Sequence, residues 1–279
     1  MSRKTKQFFV AMIYIFLFSL LFTVVYFAFI KAPETCFDGK KNQNEQGIDC
    51  SGVCSVACKE IVIGTALQIK EQSFMKSREN TYDILAKVFN PNGEIGAVSF
   101  SYTASLLDAT GIVLASRTGT ANTLPLENKY LLVFNLETRG IPVAVSLEMN
   151  DIVWERFSGY QEKPAVNIYR KEYNEVSSSA VFSEATGLVS NESSYDFQSL
   201  IVQVILRDVF GKPLAVNSTE MNTMLSRENR DFRLVWPTAF PGRVEDIEMV
   251  VDVDAYHSLN FIKQYLREGA SQDFIPSKR

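Results

Sequence analysis

The sequence predicts an all-β protein in which two tandem antiparallel β-sandwiches follow one N-terminal transmembrane α-helix and a small Cys-rich segment. Three observations predict it. Residues 8–30 hold 21 apolar residues in 23, with no charge between Gln7 and Lys31. All four cysteines fall between positions 36 and 58. The rest of the chain reads as short strands separated by turns, and its pattern recurs after about one hundred residues. The implied division is an N-terminus over 1–7, a membrane helix over 8–30, a stalk over 31–60, sandwiches over 61–160 and 161–263, and a polar tail over 264–279.

A 23-residue helix rises roughly 34 Å, enough to cross a hydrocarbon core of about 30 Å. Ser19 and Thr23 are tolerable inside it because their hydroxyls can bond back to helix carbonyls. A cleaved signal peptide would have a shorter apolar run ending in small residues. Here the run ends Tyr26-Phe27-Ala28-Phe29-Ile30, so an uncleaved anchor is expected. Pro33-Glu34-Thr35 before Cys36 does not fit a lipoprotein signal. Arg3, Lys4 and Lys6 give the first 30 residues a charge of +3, and the rest of the chain holds −7. The positive end is expected in the cytoplasm, with residues 31–279 outside a cell membrane crossed once. An acidic exterior argues against nucleic acid as a partner, since phosphate contacts need clustered Lys and Arg.

Cys36, Cys50, Cys54 and Cys58 sit just beyond the anchor and read as two disulfides, with three pairings open. A four-cysteine zinc site would normally show paired C-x-x-C knuckles, which are absent. Between the cysteines stand Asp38, Asn42, Asn44, Glu45 and Asp49, hard oxygen donors of the kind Ca²⁺ takes, although their spacing is not that of an EF-hand. The same residue types also build tight turns, and both readings stay open. No other cofactor is expected. The run from Cys36 to Cys54 resembles the C-x-D-G-x-x-N-x-x-E-x-G-x-D-C-x-G-x-C module of prokaryotic surface proteins, with Ser51 after Asp49-Cys50. That resemblance implies an extracytoplasmic stalk and no activity.

The repeat pairs Ala66-Leu67-Gln68-Ile69 with Ala165-Val166-Asn167-Ile168, and Val88-Phe89 with Val181-Phe182. It pairs Leu106-Leu107-Asp108-Ala109-Thr110-Gly111 with Leu206-Arg207-Asp208-Val209-Phe210-Gly211, and Glu127-Asn128-Lys129 with Glu228-Asn229-Arg230. Within each copy, alternation marks strands: Tyr82, Ile84, Ala86 and Val88 face one way, Asp83, Leu85 and Lys87 the other. The last strands are expected over Val143–Met149 and Ile247–Val253. Short strands with turns every 8–15 residues indicate sandwiches. Ala104–Asp108 and Val204–Asp208 resemble the FxLYD-type immunoglobulin-like sandwiches of bacterial envelope proteins, keeping the Leu and Asp but neither aromatic. The whole arrangement is similar to single-pass envelope proteins of candidate-phylum bacteria.

Catalytic signatures are absent, so no enzyme is expected. The only histidine, His257, follows the last predicted strand, and Asp252, Asp254, Glu245, Asp246 and Glu248 read as a solvated strand edge. Trp236 is expected in the core and Trp154 near the joint between copies. Asn191-Glu192-Ser193 and Asn217-Ser218-Thr219 match an N-glycosylation pattern that arises easily by chance. The expected function is a membrane-anchored structural or binding protein presenting two immunoglobulin-like domains for protein–protein interaction or adhesion. The alternative is an accessory subunit of a membrane secretion, pilus or transport complex.

Overall fold

The computed structural model describes residues 3–26, 35–56, 58, 61–176 and 181–266. The end of the expected membrane segment (27–30), the start of the stalk (31–34) and the expected tail beyond Leu266 lie outside the described residues.

The chain folds as two compact units, Met1–Ile61 and Val62–Arg279. In the first, α1 (Arg3–Val25) starts five residues before the uncharged run, so its basic residues occupy its opening turn. Its stretch Thr5–Val25 is long and apolar enough to cross a membrane. Its described side chains are all exposed. A helix apolar on every side needs an apolar surround. Thr23 Oγ1 donates to Ser19 O at 2.8 Å, as hydroxyls in such a helix do.

The cysteines form Cys36–Cys54 and Cys50–Cys58, settling the pairing among the three possibilities, and none is free. Between the bridges the backbone turns through left-handed residues Gln43, Asn44, Asp49 and Ser51. Gly52 (φ +65°) is required there: a Cβ would lie 2.1 Å from Asn44 O.

Among the described residues, the second unit is built from twelve strands in four antiparallel three-stranded sheets. β1 (Gln68–Arg78), β2 (Thr81–Phe89) and β5 (Asn128–Glu137) form a sheet of order β1-β2-β5. It faces β4 (Val113–Thr123), β3 (Ile95–Leu107) and β6 (Ala144–Arg156), ordered β4-β3-β6. β7 (Val166–Glu175), β8 (Ser183–Asn191) and β11 (Asn229–Trp236) form β11-β8-β7, and β9 (Phe197–Arg207), β10 (Pro213–Met224) and β12 (Asp246–Val253) form β10-β9-β12. Six strands thus recur in the same order.

Each sandwich closes over the apolar side of its alternating strands. Ile84, Ala86, Val88, Phe100, Ala104 and Leu106 fill the first core. Val202, Val204, Leu206, Leu234, Trp236 and Met249 belong to the second. Trp236 is 7% exposed, and its Nε1 donates to Val216 O.

The recurring residues are those that hold turns. Asp108 Oδ1 accepts the N–H groups of Thr110 and Ile112, and Asp208 Oδ1 accepts those of Phe210 and Lys212. The Asp that recurs in the two copies is therefore a hairpin-turn acceptor. Asn90 Nδ2 donates to Ile95 O and Leu124 O, and Asn191 Nδ2 donates to Tyr195 O and Leu225 O, at 2.8 and 2.9 Å in each case. Glu127 Oε2 accepts Leu124 N–H, as Glu228 Oε2 accepts Leu225 N–H. This clamp sets Asn90 opposite Asn191, so Val88-Phe89 corresponds to Val189-Ser190. Val181-Phe182, aligned with it above, precedes β8 instead; a Val-Phe pair alone cannot fix register.

The sandwiches do not stand apart. The outer side of β1-β2-β5 packs on the outer side of β10-β9-β12 through Met75, Leu85, Tyr130, Ile205 and Val216, all buried. β2 and β9 are consequently covered on both faces. The solvated strand edge expected at Glu248 and Asp252 is not found: both face the other sandwich, in ion pairs with Lys87 and Lys129. The outer side of β3, at Ser99, Ser101, Thr103 and Ser105, has no such apolar anchors.

After β12, a 3₁₀ turn (Ala255–His257) and α2 (Leu259–Tyr265) complete the unit. Tyr256, Phe261 and Ile262 are almost wholly buried, and Phe157 and Tyr160 of the joint pack with them. Leu266, expected in an exposed tail, is 7% exposed because it belongs to this core. Trp154, expected between the copies, packs on the first core and lies over Gly64, where a Cβ would come within 2.7 Å of the indole.

Candidate functional site

The best-formed polar site is the junction of the sandwiches, where two clusters lie on the buried faces of β5, β9 and β12. In the first, Arg207 forks onto Glu71 (Nη1–Oε1 2.7 Å, Nη2–Oε2 3.0 Å) and reaches Glu248 Oε2 at 3.0 Å. The Tyr130 hydroxyl donates to Glu248 Oε1 at 2.7 Å, and Lys87 Nζ sits 3.5 Å from the same oxygen and 4.8 Å from the Tyr130 ring. Burial works against the Glu248 carboxylate, but hydrogen bonds from Tyr130 and Arg207 outweigh it and hold its pKa below the usual value. This cluster is saturated with internal partners.

The second cluster lines an open cleft of about 290 Å³ that both sandwiches form. Lys129 Nζ, nearly buried, lies 2.7 Å from Asp252 Oδ1 and donates to Asn122 Oδ1 at 2.9 Å. Burial penalises its charge, yet Asp252 and Glu127 more than compensate and raise its pKa. Glu127, beneath it, is pushed up by burial in the first place. His257 Nδ1 stands 2.8 Å from Asp254 Oδ1; the carboxylate is an acceptor, so the imidazole donates there and Nε2 is left unengaged. Tyr102 enters from β3, its ring over Gly119, where a Cβ would come within 2.5 Å of it.

The oxygen donors of the Cys-rich segment are arranged differently. Asp49 accepts the N–H groups of Asp38 and Gly39 at 3.0 and 2.8 Å. Asp38 accepts Lys40 N–H and the Asn42 side-chain amide. Glu45 Oε2 accepts the N–H groups of Asn42 and Asp49, and its Oε1 lies 3.1 Å from the Cys54 sulfur. Asn44 is exposed with left-handed backbone. The carboxylates thus bond to amides in tight turns. The nearest approach to a metal-ligand group there is Cys36, Glu45 and Cys54, but both sulfurs belong to one disulfide and offer no thiolate.

The glycosylation-like patterns are occupied structurally. Asn191 is fully buried, and Asn217 in β10 donates its Nδ2 to Val235 O in β11.

No family model and no curated protein matches the chain. Among solved structures, a chain from the crystal structure of red sea bream transglutaminase aligns with 70% of this chain and 29% of its own, at 13% identity and a TM-score of 0.22. A likeness that slight carries no argument about function.

The cleft escaped sequence reasoning because its parts come from β3, β4, β5, β12 and the turn after it. The available signal was the recurrence of Lys129 as Arg230: Arg230 closes onto Glu228 and Asn222 O within its own copy, whereas Lys129 reaches across to Asp252.

Proposed function

We propose that the protein is a membrane-anchored, extracytoplasmic binding protein whose paired immunoglobulin-like sandwiches engage another protein or serve adhesion. α1 supports the anchor, and its +3 end supports a cytoplasmic N-terminus in a single-pass arrangement. The observation that carries the binding role is the β9–β10 hairpin. Phe210 is 90% exposed and Val209 72% exposed, while Asp208 holds the turn rigid beneath them. A large aromatic kept in water on an ordered turn is suited to an apolar pocket on a partner. We assign the chain no catalytic role.

The test is crosslinking on intact cells with photoreactive groups at Val209, beside Phe210 on the same turn, followed by partner identification, alongside protease treatment of the same cells. A defined partner lost on Phe210→Ser, with the sandwiches digested from outside, supports the reading. Protection of the sandwiches from external protease refutes the topology, and an unchanged crosslink pattern in Phe210→Ser refutes the role of the hairpin.

A further inference from the structure

We propose that the cleft between the sandwiches is a binding site for a small neutral saccharide. Its lysine is already matched with Asp252 at 2.7 Å, and Asp254 Oδ1 already accepts His257 Nδ1–H at 2.8 Å. An anion drawn to Lys129 would have to disrupt its pair with Asp252. An anion would also face two carboxylates. A metal ion would need converging oxygens, and Asp252, Asp254 and His257 do not gather as a ligand group.

What remains unengaged suits hydroxyl groups. Asn122 Oδ1 is taken by Lys129, which leaves its Nδ2 as a donor, and His257 keeps Nε2. Asp252 and Asp254 each retain an acceptor oxygen, and the Ser199 hydroxyl at the wall serves as either. Adjacent donors and acceptors of this kind match vicinal diols, whose hydroxyls donate and accept together. Tyr102 supplies the apolar part. Its ring is propped from below by Gly119, so it is fixed in place as a platform for the C–H face of a sugar. A volume of about 290 Å³ lies at the small end of ligand sites and accommodates one or two sugar rings. Because both sandwiches line the cleft, the site exists only while they remain docked. It stands independently of the partner proposed for the Phe210 hairpin.

The full chain in lipid nanodiscs, free of sugar-headed detergent, is tested by saturation-transfer difference NMR. The probes are glucose, galactose and N-acetylglucosamine, with glycine and inorganic phosphate as charged competitors. Transfer to the ring protons of at least one sugar, with millimolar affinity, is expected. Affinity should fall roughly tenfold in Tyr102→Ala and in His257→Ala and be kept in Tyr102→Phe. His257 is 40% exposed at its side chain, so its variant tests the site even where Tyr102→Ala does not fold. Absence of transfer from all three sugars overturns the proposal. So does transfer undiminished in a folded His257→Ala, or displacement of every sugar by phosphate or glycine.

Discussion

Arg207 of the second sandwich and Glu71 of the first meet in a two-pronged ion pair across the junction, with N–O distances of 2.7 and 3.0 Å. The Arg207 side chain is 10% exposed, and it is also the main partner of Glu248. Arg207→Met should therefore cost roughly 3 kcal/mol, because Glu71 loses its counter-charge inside a packed interface and Glu248 is left with Lys87 alone. Arg207→Lys should recover only part of this, since one ammonium cannot fork onto both groups. Urea unfolding of the three proteins checks it; a loss below about 1 kcal/mol for Arg207→Met would count against the interlock.

The two buried Asn clamps make matched predictions. Asn90→Ala and Asn191→Ala each remove the side-chain amide that two carbonyls accept and should each cost about 2 kcal/mol. Thermal denaturation of both variants is the measurement, and a near-neutral result at either position would contradict the equivalence of the turns.

Glu127 and Glu228 hold the same turn in the two copies but titrate in opposite directions. Burial raises Glu127, while the Leu225 N–H and Arg230 lower Glu228. A lowered carboxylate stabilises the fold above its ordinary pKa, and that stability is lost as pH falls through the folded value. A raised one favours the fold at low pH and loses that contribution as pH rises through its folded value. Glu228→Gln should flatten the acid limb of a melting-temperature profile taken from about pH 3 to about pH 9. Glu127→Gln should flatten the opposite slope. Parallel profiles for the two variants would refute the assignment.

Reduction offers a test confined to the Cys-rich segment. The Cys36–Cys54 bridge closes a loop of sequence separation 18, worth roughly 3 kcal/mol in chain entropy. No core of consequence replaces it, so dithiothreitol should open residues 35–58 to protease. The melting of the sandwiches, which contain no cysteine, should be unaltered.

Much of the architecture was legible in the sequence because it depends on local pattern. An uncharged apolar run marks α1, alternation marks the strands, and Asp108-Ala109-Thr110-Gly111 marks a hairpin. What could not be read depends on which surfaces meet. Leu85 and Ile205 look like ordinary outward positions on their strands, and nothing local shows that each covers the other's sheet. The error at Asp252 follows from that, and so does the missed cleft. Disulfide pairing is likewise a property of folded proximity, beyond the reach of cysteine spacing.

The junction also gives the two sandwiches unequal outer faces. The first sandwich offers Met75, Leu85 and Tyr130 to its neighbour, and the second answers with Ile205 and Val216. The face of the first sandwich that corresponds to Ile205 and Val216 instead presents Ser105 and Ser116 across from one another. A further copy joined by the same geometry would find hydroxyls where it needs hydrocarbon. On that side the pair is thus capped by its own polar sheet, as the ends of longer repeat arrays are.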